Sequence, residues 1–130
     1  MTRLRPMRAG WAGGLVAAAI ALTSVSRAAG GDPERGRLVF EKCVACHAVD
    51  DQPKDGPSLK GVIGRKAASR DDYRYSAALK RSDITWTTES LDAYLADPQA
   101  YVKGNRMAFA GLPEKQDRDD VIAYLEAATK

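Results

Sequence analysis

Cys43-Val44-Ala45-Cys46-His47 holds both cysteines and the single histidine of the 130-residue chain. Two thiols and an imidazole in one short run are what covalent attachment of a c-type haem requires. In that reading the sulfurs of Cys43 and Cys46 add to the two vinyl groups of the porphyrin. His47 then lies under the iron as the proximal axial ligand. A Cys-x-x-Cys pair alone also suits a thioredoxin-type redox couple, half of a zinc site or a small-loop disulfide. A structural zinc site wants four N or S ligands, and the cysteines and the histidine make three. A thioredoxin-type pair belongs near a β-α-β pattern, which the sequence does not contain. Haem attachment is the favoured reading, because all the cysteines and the histidine of the chain sit in that one run.

Such an iron either has an open site or takes a second axial ligand. Met107 is the one methionine beyond Met7. A lone methionine is ordinarily core filler, but Met107 sits in the Gly/Pro-punctuated stretch Gly104-Asn105-Arg106-Met107-Ala108-Phe109-Ala110-Gly111-Leu112-Pro113. That stretch reads as a loop, not as the apolar face of a helix. A loop arriving from the far side of the haem places a thioether on the iron, so His47 and Met107 are the expected metal ligands.

The N-terminal segment has a different character. Arg3, Arg5 and Arg8 precede an Ala-rich apolar run from Trp11 to Leu22, and Ser26-Arg27-Ala28 follows. This is the pattern of an export signal cleaved near Ala28; the apolar run is short for a membrane span. Residues 1–28 are therefore expected to be a signal peptide, residues 29–130 one domain, and the location periplasmic. The formal charge of +3 owes much to that segment: without Arg3, Arg5, Arg8 and Arg27, 16 basic residues face 17 acidic ones. Nothing in that balance favours nucleic-acid binding.

Beyond residue 30 the patterns are helical, with no convincing period-2 strand and no internal repeat. Asp32-Pro33-Glu34 is a helix start, with a capping Asp and Pro at the first helical position. That helix is expected to run into Cys43, with Gly36 and Phe40 on one face. Residues 48–68 read as loop. Ser76 caps a short helix over 76–80. Thr87-Thr88-Glu89 opens another, with Leu91, Tyr94 and Leu95 on its apolar face. Asp97-Pro98 repeats the Asp-Pro start, and Gly104 is the stop. The last helix begins near Glu114 and reaches about Thr129, with Val121, Ile122, Leu125 and Ala128 as its stripe. Glu114, Asp117, Asp119 and Asp120 crowd its start, as the helix dipole favours. The fold class is all-α. So small a domain makes a modest core, and a flat apolar cofactor would complete it.

From Gly31 to Lys130 the chain resembles the class I cytochromes c, in particular the mitochondrial-like type of bacterial periplasms. The resemblance is carried in order by Gly36-x-x-x-Phe40, Cys43-Val44-Ala45-Cys46-His47, Gly56-Pro57-Ser58-Leu59, Gly64-Arg65-Lys66, Ile84-Thr85-Trp86, Tyr94-Leu95-x-x-Pro98, Met107-Ala108-Phe109-Ala110-Gly111 and Ile122-Ala123-Tyr124-Leu125. It implies about four to five helices wrapped around one covalently attached haem c. Pro57 resembles the residue whose carbonyl accepts the N–H of the iron-ligating imidazole. Arg65, Tyr75 and Trp86 resemble the groups that hold the haem propionates, Tyr94 the tyrosine near the methionine sulfur, and Phe109 the aromatic at the exposed haem edge. Gly36 and Phe40 would pack against Tyr124. Lys103 stands where the family has Pro, Leu79 where it often has Asn, and Gln99 and Ala100 where lysines are common. Asn105 replaces a Thr and is expected to reach a propionate through its amide.

The resemblance also implies a soluble one-electron carrier and not an enzyme. The partners it implies are membrane complexes: a quinol:cytochrome c reductase, and a terminal oxidase or photosynthetic reaction centre. The expected carrier is a monomer that docks through Lys42, Lys103, Arg106 and Phe109. The alternatives are a dedicated electron-accepting subunit of a dehydrogenase, or a haem peroxidase or gas sensor if Met107 leaves the iron open.

Overall fold

A computed structural model describes residues 30–130; the expected signal peptide, residues 1–28, lies outside the described residues. These contain five helices: α1 (Pro33–Phe40), α2 (Ala77–Arg81), α3 (Thr88–Ala96), α4 (Pro98–Tyr101) and α5 (Lys115–Ala128). The one β-type pairing among them is an isolated bridge between Lys66 and Thr85. The all-α expectation holds.

The helix starts follow the side chains read from the sequence. The Asp32 carboxylate accepts from the Glu34 amide at 2.9 Å, Ser76 Oγ from the Leu79 amide at 3.0 Å, and Asp97 from the Ala100 amide at 3.0 Å. Each satisfies a donor that the first helical turn leaves without an intrahelical partner. Thr87 and Ser90 form a reciprocal capping box at α3. The α1 boundary differs from expectation. Regular helix stops at Phe40, and the backbone tightens through bonds from Glu41 to Leu38, Lys42 to Val39 and Cys43 to Phe40. Three-residue bonds of this kind wind the chain more sharply than α-helix, so Cys43 lies on a turn.

Two helices dominate the packing. α1 lies across α5 with almost no space between the backbones. A Cβ built on Gly36 would lie 1.9 Å from the Asp120 carbonyl oxygen, so only hydrogen fits there. One turn on, the Phe40 and Tyr124 rings pack with centroids 5.3 Å apart. Val121, Ile122 and Leu125 are buried beneath them. α3 packs on the same helix, and α4 on α3. The Arg118 guanidinium ties α5 to α3 through Asp92 at 2.8 Å and to the incoming loop through the Leu112 and Pro113 carbonyls.

Asp120 corrects the reading of the α5 start. It is not a solvated acid of the first turn but is fully buried. Its carboxylate accepts from the Asp32 amide at 2.6 Å and the Gln116 amide nitrogen at 2.7 Å, with Arg35 Nε 3.4 Å away. The close helix crossing covers it, and those donors replace water around the charge.

Candidate functional site

The turn after α1 builds the first part of the site. The Cys46 and His47 amides both donate to the Cys43 carbonyl, at 3.1 and 2.9 Å. This winds the five-residue motif into a compact loop, with Cys43 half-buried and Cys46 exposed. The two thiols are not joined to each other. Burial raises the Cys43 thiol pKa, and nearby Lys42 partly offsets that. His47 Nδ1 lies 2.7 Å from the Pro57 carbonyl oxygen. A carbonyl can only accept, so the proton sits on Nδ1 and the Nε2 lone pair is free. Burial lowers the His47 pKa most, Lys54 adds to the lowering, and the Pro57 carbonyl opposes it. A neutral imidazole is the metal-binding form. Gly56 makes the close fit: a Cβ there would lie 2.7 Å from the Cys46 carbonyl and 2.9 Å from His47 Cε1.

A second group surrounds Met107. The Tyr94 hydroxyl lies 3.9 Å from Met107 Sδ, and its ring packs on Trp86 with centroids 4.9 Å apart. Burial pushes the Tyr94 pKa up to about 12, so its hydroxyl stays a proton donor at physiological pH. The Asn105 amide runs against expectation: it is buried and does not reach out toward a propionate. Nδ2 donates to the Pro98 carbonyl at 2.8 Å and the Val102 carbonyl at 2.9 Å, which spends both of its protons. Oδ1 accepts from the Met107 amide at 2.9 Å. Gln99 Nε2 adds bonds to the Asn105 and Met107 carbonyls at 3.2 and 3.5 Å. Neither Gln99 nor Asn105 stood out in the sequence as a holder of the loop. Backbone carbonyls are their partners, and those are visible only once α4 is folded.

Arg65, Tyr75 and Trp86 form a third group. The Trp86 amide donates to the Arg65 carbonyl at 2.9 Å. Tyr75 and Trp86 are buried. The Arg65 guanidinium donates to the Ser58 carbonyl at 3.0 Å and to the Lys60 carbonyl. Burial lowers its pKa, and the nearby Tyr75 partly offsets that. Among the expected docking residues, Lys42, Lys103 and Arg106 are exposed and Phe109 is half-buried. The Arg106 guanidinium turns onto the Arg74 carbonyl. Lys54 places a further cation on the motif itself, through the Val44 carbonyl; no local pattern signals that its loop folds back that far.

These features fit a covalently held haem. The motif offers two unjoined thiols and an imidazole with Nε2 free, and a thioether stands in a braced loop. Leu59, Ile63, Leu79, Ile84, Leu95, Met107 and Phe109 pack on the core yet remain only partly buried, which leaves apolar surface for a flat apolar group to cover.

Comparison with known proteins agrees. A family model described as cytochrome c matches residues 33–129. The chain belongs to the cytochrome c family. It is 47% identical over 104 residues to cytochrome c2 of Rhodomicrobium vannielii, covering 78% of this chain and 83% of that one. It is 46% identical over 99 residues to cytochrome c-550 of Ancylobacter novellus, covering 72% of this chain and 92% of that one. Among solved structures it is similar to cytochrome cH from Methylobacterium extorquens, with a TM-score of 0.72 and 43% identity over 75% of this chain and 99% of that one. The chain is thus a class I cytochrome c of bacterial type, an electron carrier with one c-type haem attached through Cys43 and Cys46.

Proposed function

We propose that this cytochrome c is a soluble, monomeric periplasmic shuttle whose iron is held between His47 and Met107. It would take electrons from a quinol:cytochrome c reductase and deliver them to a terminal oxidase or photosynthetic reaction centre. Residues 1–28 act as the export signal, so haem is attached after translocation. Names among the relatives, cytochrome c2 and cytochrome c-550, support the carrier role. The bound haem supplies a one-electron ferric/ferrous couple.

The observation that carries the reading is that each of the two expected ligand side chains has a polar partner beside it. The Pro57 carbonyl fixes the His47 ring and raises its basicity as a ligand. The Tyr94 hydroxyl and the bonds around Asn105 hold Met107. A thioether in an apolar pocket favours the ferrous state and raises the potential. With His47 and Met107 both holding the iron, the site would suit electron transfer. The lone histidine of the chain is spent as a ligand, so none remains to serve as a distal acid or base. Arg65, Tyr75 and Trp86 would hold the propionates, and Phe109 would stand at the exposed edge. Lys42, Lys103 and Arg106 would steer acidic partners toward it.

The test is Met107→Ala in the holoprotein. The weak long-wavelength sulfur-to-iron charge-transfer band should disappear from the ferric spectrum, cyanide and CO should bind readily, and the potential should fall. An unchanged six-coordinate low-spin spectrum with unchanged potential would overturn the assignment. For docking, Lys103→Glu with Arg106→Glu should slow electron transfer to an acidic partner at low salt, and the difference should shrink as salt rises. Rates insensitive to both changes would place docking elsewhere.

A further inference from the structure

The short helix α4 and the loop after it are joined by two neutral amide side chains, where the family resemblance led us to expect lysine and threonine. Asn105 is buried and uses its whole side chain: two donors on the Pro98 and Val102 carbonyls, and one acceptor on the Met107 amide. The same Oδ1 lies 3.5 Å from the Tyr94 hydroxyl, which is itself 3.9 Å from Met107 Sδ. Gln99, from the exposed side of α4, reaches over the loop to the Asn105 and Met107 carbonyls. Both backbone groups of Met107 are therefore held by side chains of this one region. The base they hold to is firm, since Pro98 is fully buried and Asp97 caps α4. Between clamp and base, Gly104 turns the chain with φ +89°, a conformation a side chain would resist.

We propose that Asn105 and Gln99 are positioning residues that clamp the Met107 loop onto α4 and so close the iron's sixth position against small competing ligands. This rests on the reading of Met107 as the sixth ligand. The plainer alternative is that Asn105 merely caps the last carbonyls of α4. The two bonds from Nδ2 serve that purpose. The bond from the Met107 amide and both bonds from Gln99 do not, because they end on the loop. Neutral amides also suit the place. A carboxylate at position 105 would face the Pro98 and Val102 carbonyl oxygens without a proton to offer them. The Gln99 bonds carry no formal charge, so salt has little hold on the closure.

The test is the rate at which imidazole replaces the native sixth ligand in the ferric holoprotein. At saturating imidazole that rate measures loop opening. Wild type should show the sulfur-to-iron charge-transfer band and a slow saturating rate. Asn105→Ala leaves the part-buried Met107 amide without its side-chain partner and takes one of two donors from each of the Pro98 and Val102 carbonyls, so the rate should rise on the order of tenfold. The rise in Gln99→Ala, at an exposed position, should be severalfold. Hydrogen exchange at the Met107 amide should accelerate in Asn105→Ala. Val121→Ala at the α1/α5 crossing is the control: it should lower the denaturation midpoint without changing the imidazole rate. Unchanged rates in both amide variants would overturn the clamp, and so would an equal rise in Val121→Ala, because opening would then follow global unfolding. Absence of the charge-transfer band in wild type would instead remove the Met107 assignment before any substitution is compared.

Discussion

The α1/α5 crossing and the loops that carry the haem ligands are held together in different ways. At the crossing the chain completes its own packing. Gly36 lets the backbones touch, Phe40 and Tyr124 pack ring against ring at a tilt, and the one buried acid, Asp120, has donors from both helices. In the loops the apolar side chains stop half-way. Leu59, Ile63, Met107 and Phe109 lean on the core but keep exposed surface, and much of the order there comes from hydrogen bonds between side chains and backbone. Helices that bury a stripe need only each other. Loops around a cofactor need the cofactor, because its faces are the missing partner of their side chains.

The largest expected effect comes from removing that partner. Cys43→Ser with Cys46→Ser prevents haem retention during export. The loop half then has no surface to fold against, and so small a domain lacks a compensating core. The variant should show no cooperative thermal transition, with residual helicity confined to the α1 and α5 segments. A cooperative transition and full native helicity in the haem-free chain would erase the contrast between the two regions.

The next test breaks the other side. Gly36→Ala forces a methyl group against the Asp120 carbonyl, where 1.9 Å is available. The neighbour is backbone, so no side chain can rotate away and the helices must separate. We expect a loss of about 3 kcal/mol or more, which lowers Tm by on the order of 15 °C in a domain of this size. The ferric spectrum should stay native at low temperature, because the ligand loops do not pass through the crossing. A variant that keeps its Tm would show that the helices slide past one another at little cost.

Much of this division was legible in the sequence. The Asp32-Pro33, Thr87-Thr88-Glu89 and Asp97-Pro98 starts, the Ser76 cap and the α5 stripe rest on local chemistry, and each lies where the pattern places it. The haem motif was legible because all its chemistry falls within one short run. Other features were hidden because their causes are long-range. Asp120 looked like a dipole-favoured surface acid until α1 covered it. The Asn105 amide reads as a propionate partner in the sequence because the carbonyls it serves belong to α4. Lys54 reaches the Val44 carbonyl only because the following loop folds back over the motif. From the sequence α1 runs into Cys43, since no residue between Phe40 and Cys43 announces the tighter turn.

The smallest expected effect probes whether the loop half has ties of its own. Arg70 binds Asp72 through two nitrogens, at 2.9 and 2.6 Å, and reaches Asp51 at 3.4 Å, while Lys60 also pairs with Asp51. The contacts link residues far apart in the loop region, yet both carboxylates are exposed, so water and salt weaken them. The hydrogen bond from Lys60 chiefly holds the Asp51 pKa low, and the one from Arg70 does the same for Asp72. A carboxylate whose pKa is depressed on folding adds stability above its unfolded pKa of about 4, and loses it as pH falls through the folded value. Wild type should therefore lose stability through this acid range. Arg70→Gln removes the main cause at Asp72 and a lesser one at Asp51, so its stability should fall less steeply over the same range, with only a slight deficit at neutral pH. Salt at about 1 M should bring the two profiles together. Thermal midpoints measured from neutral pH down to about pH 3, at low and high salt, decide the matter. Parallel profiles at low salt would mean that these ion pairs add nothing to the loops, and that the haem and the backbone bonds alone keep that half in place.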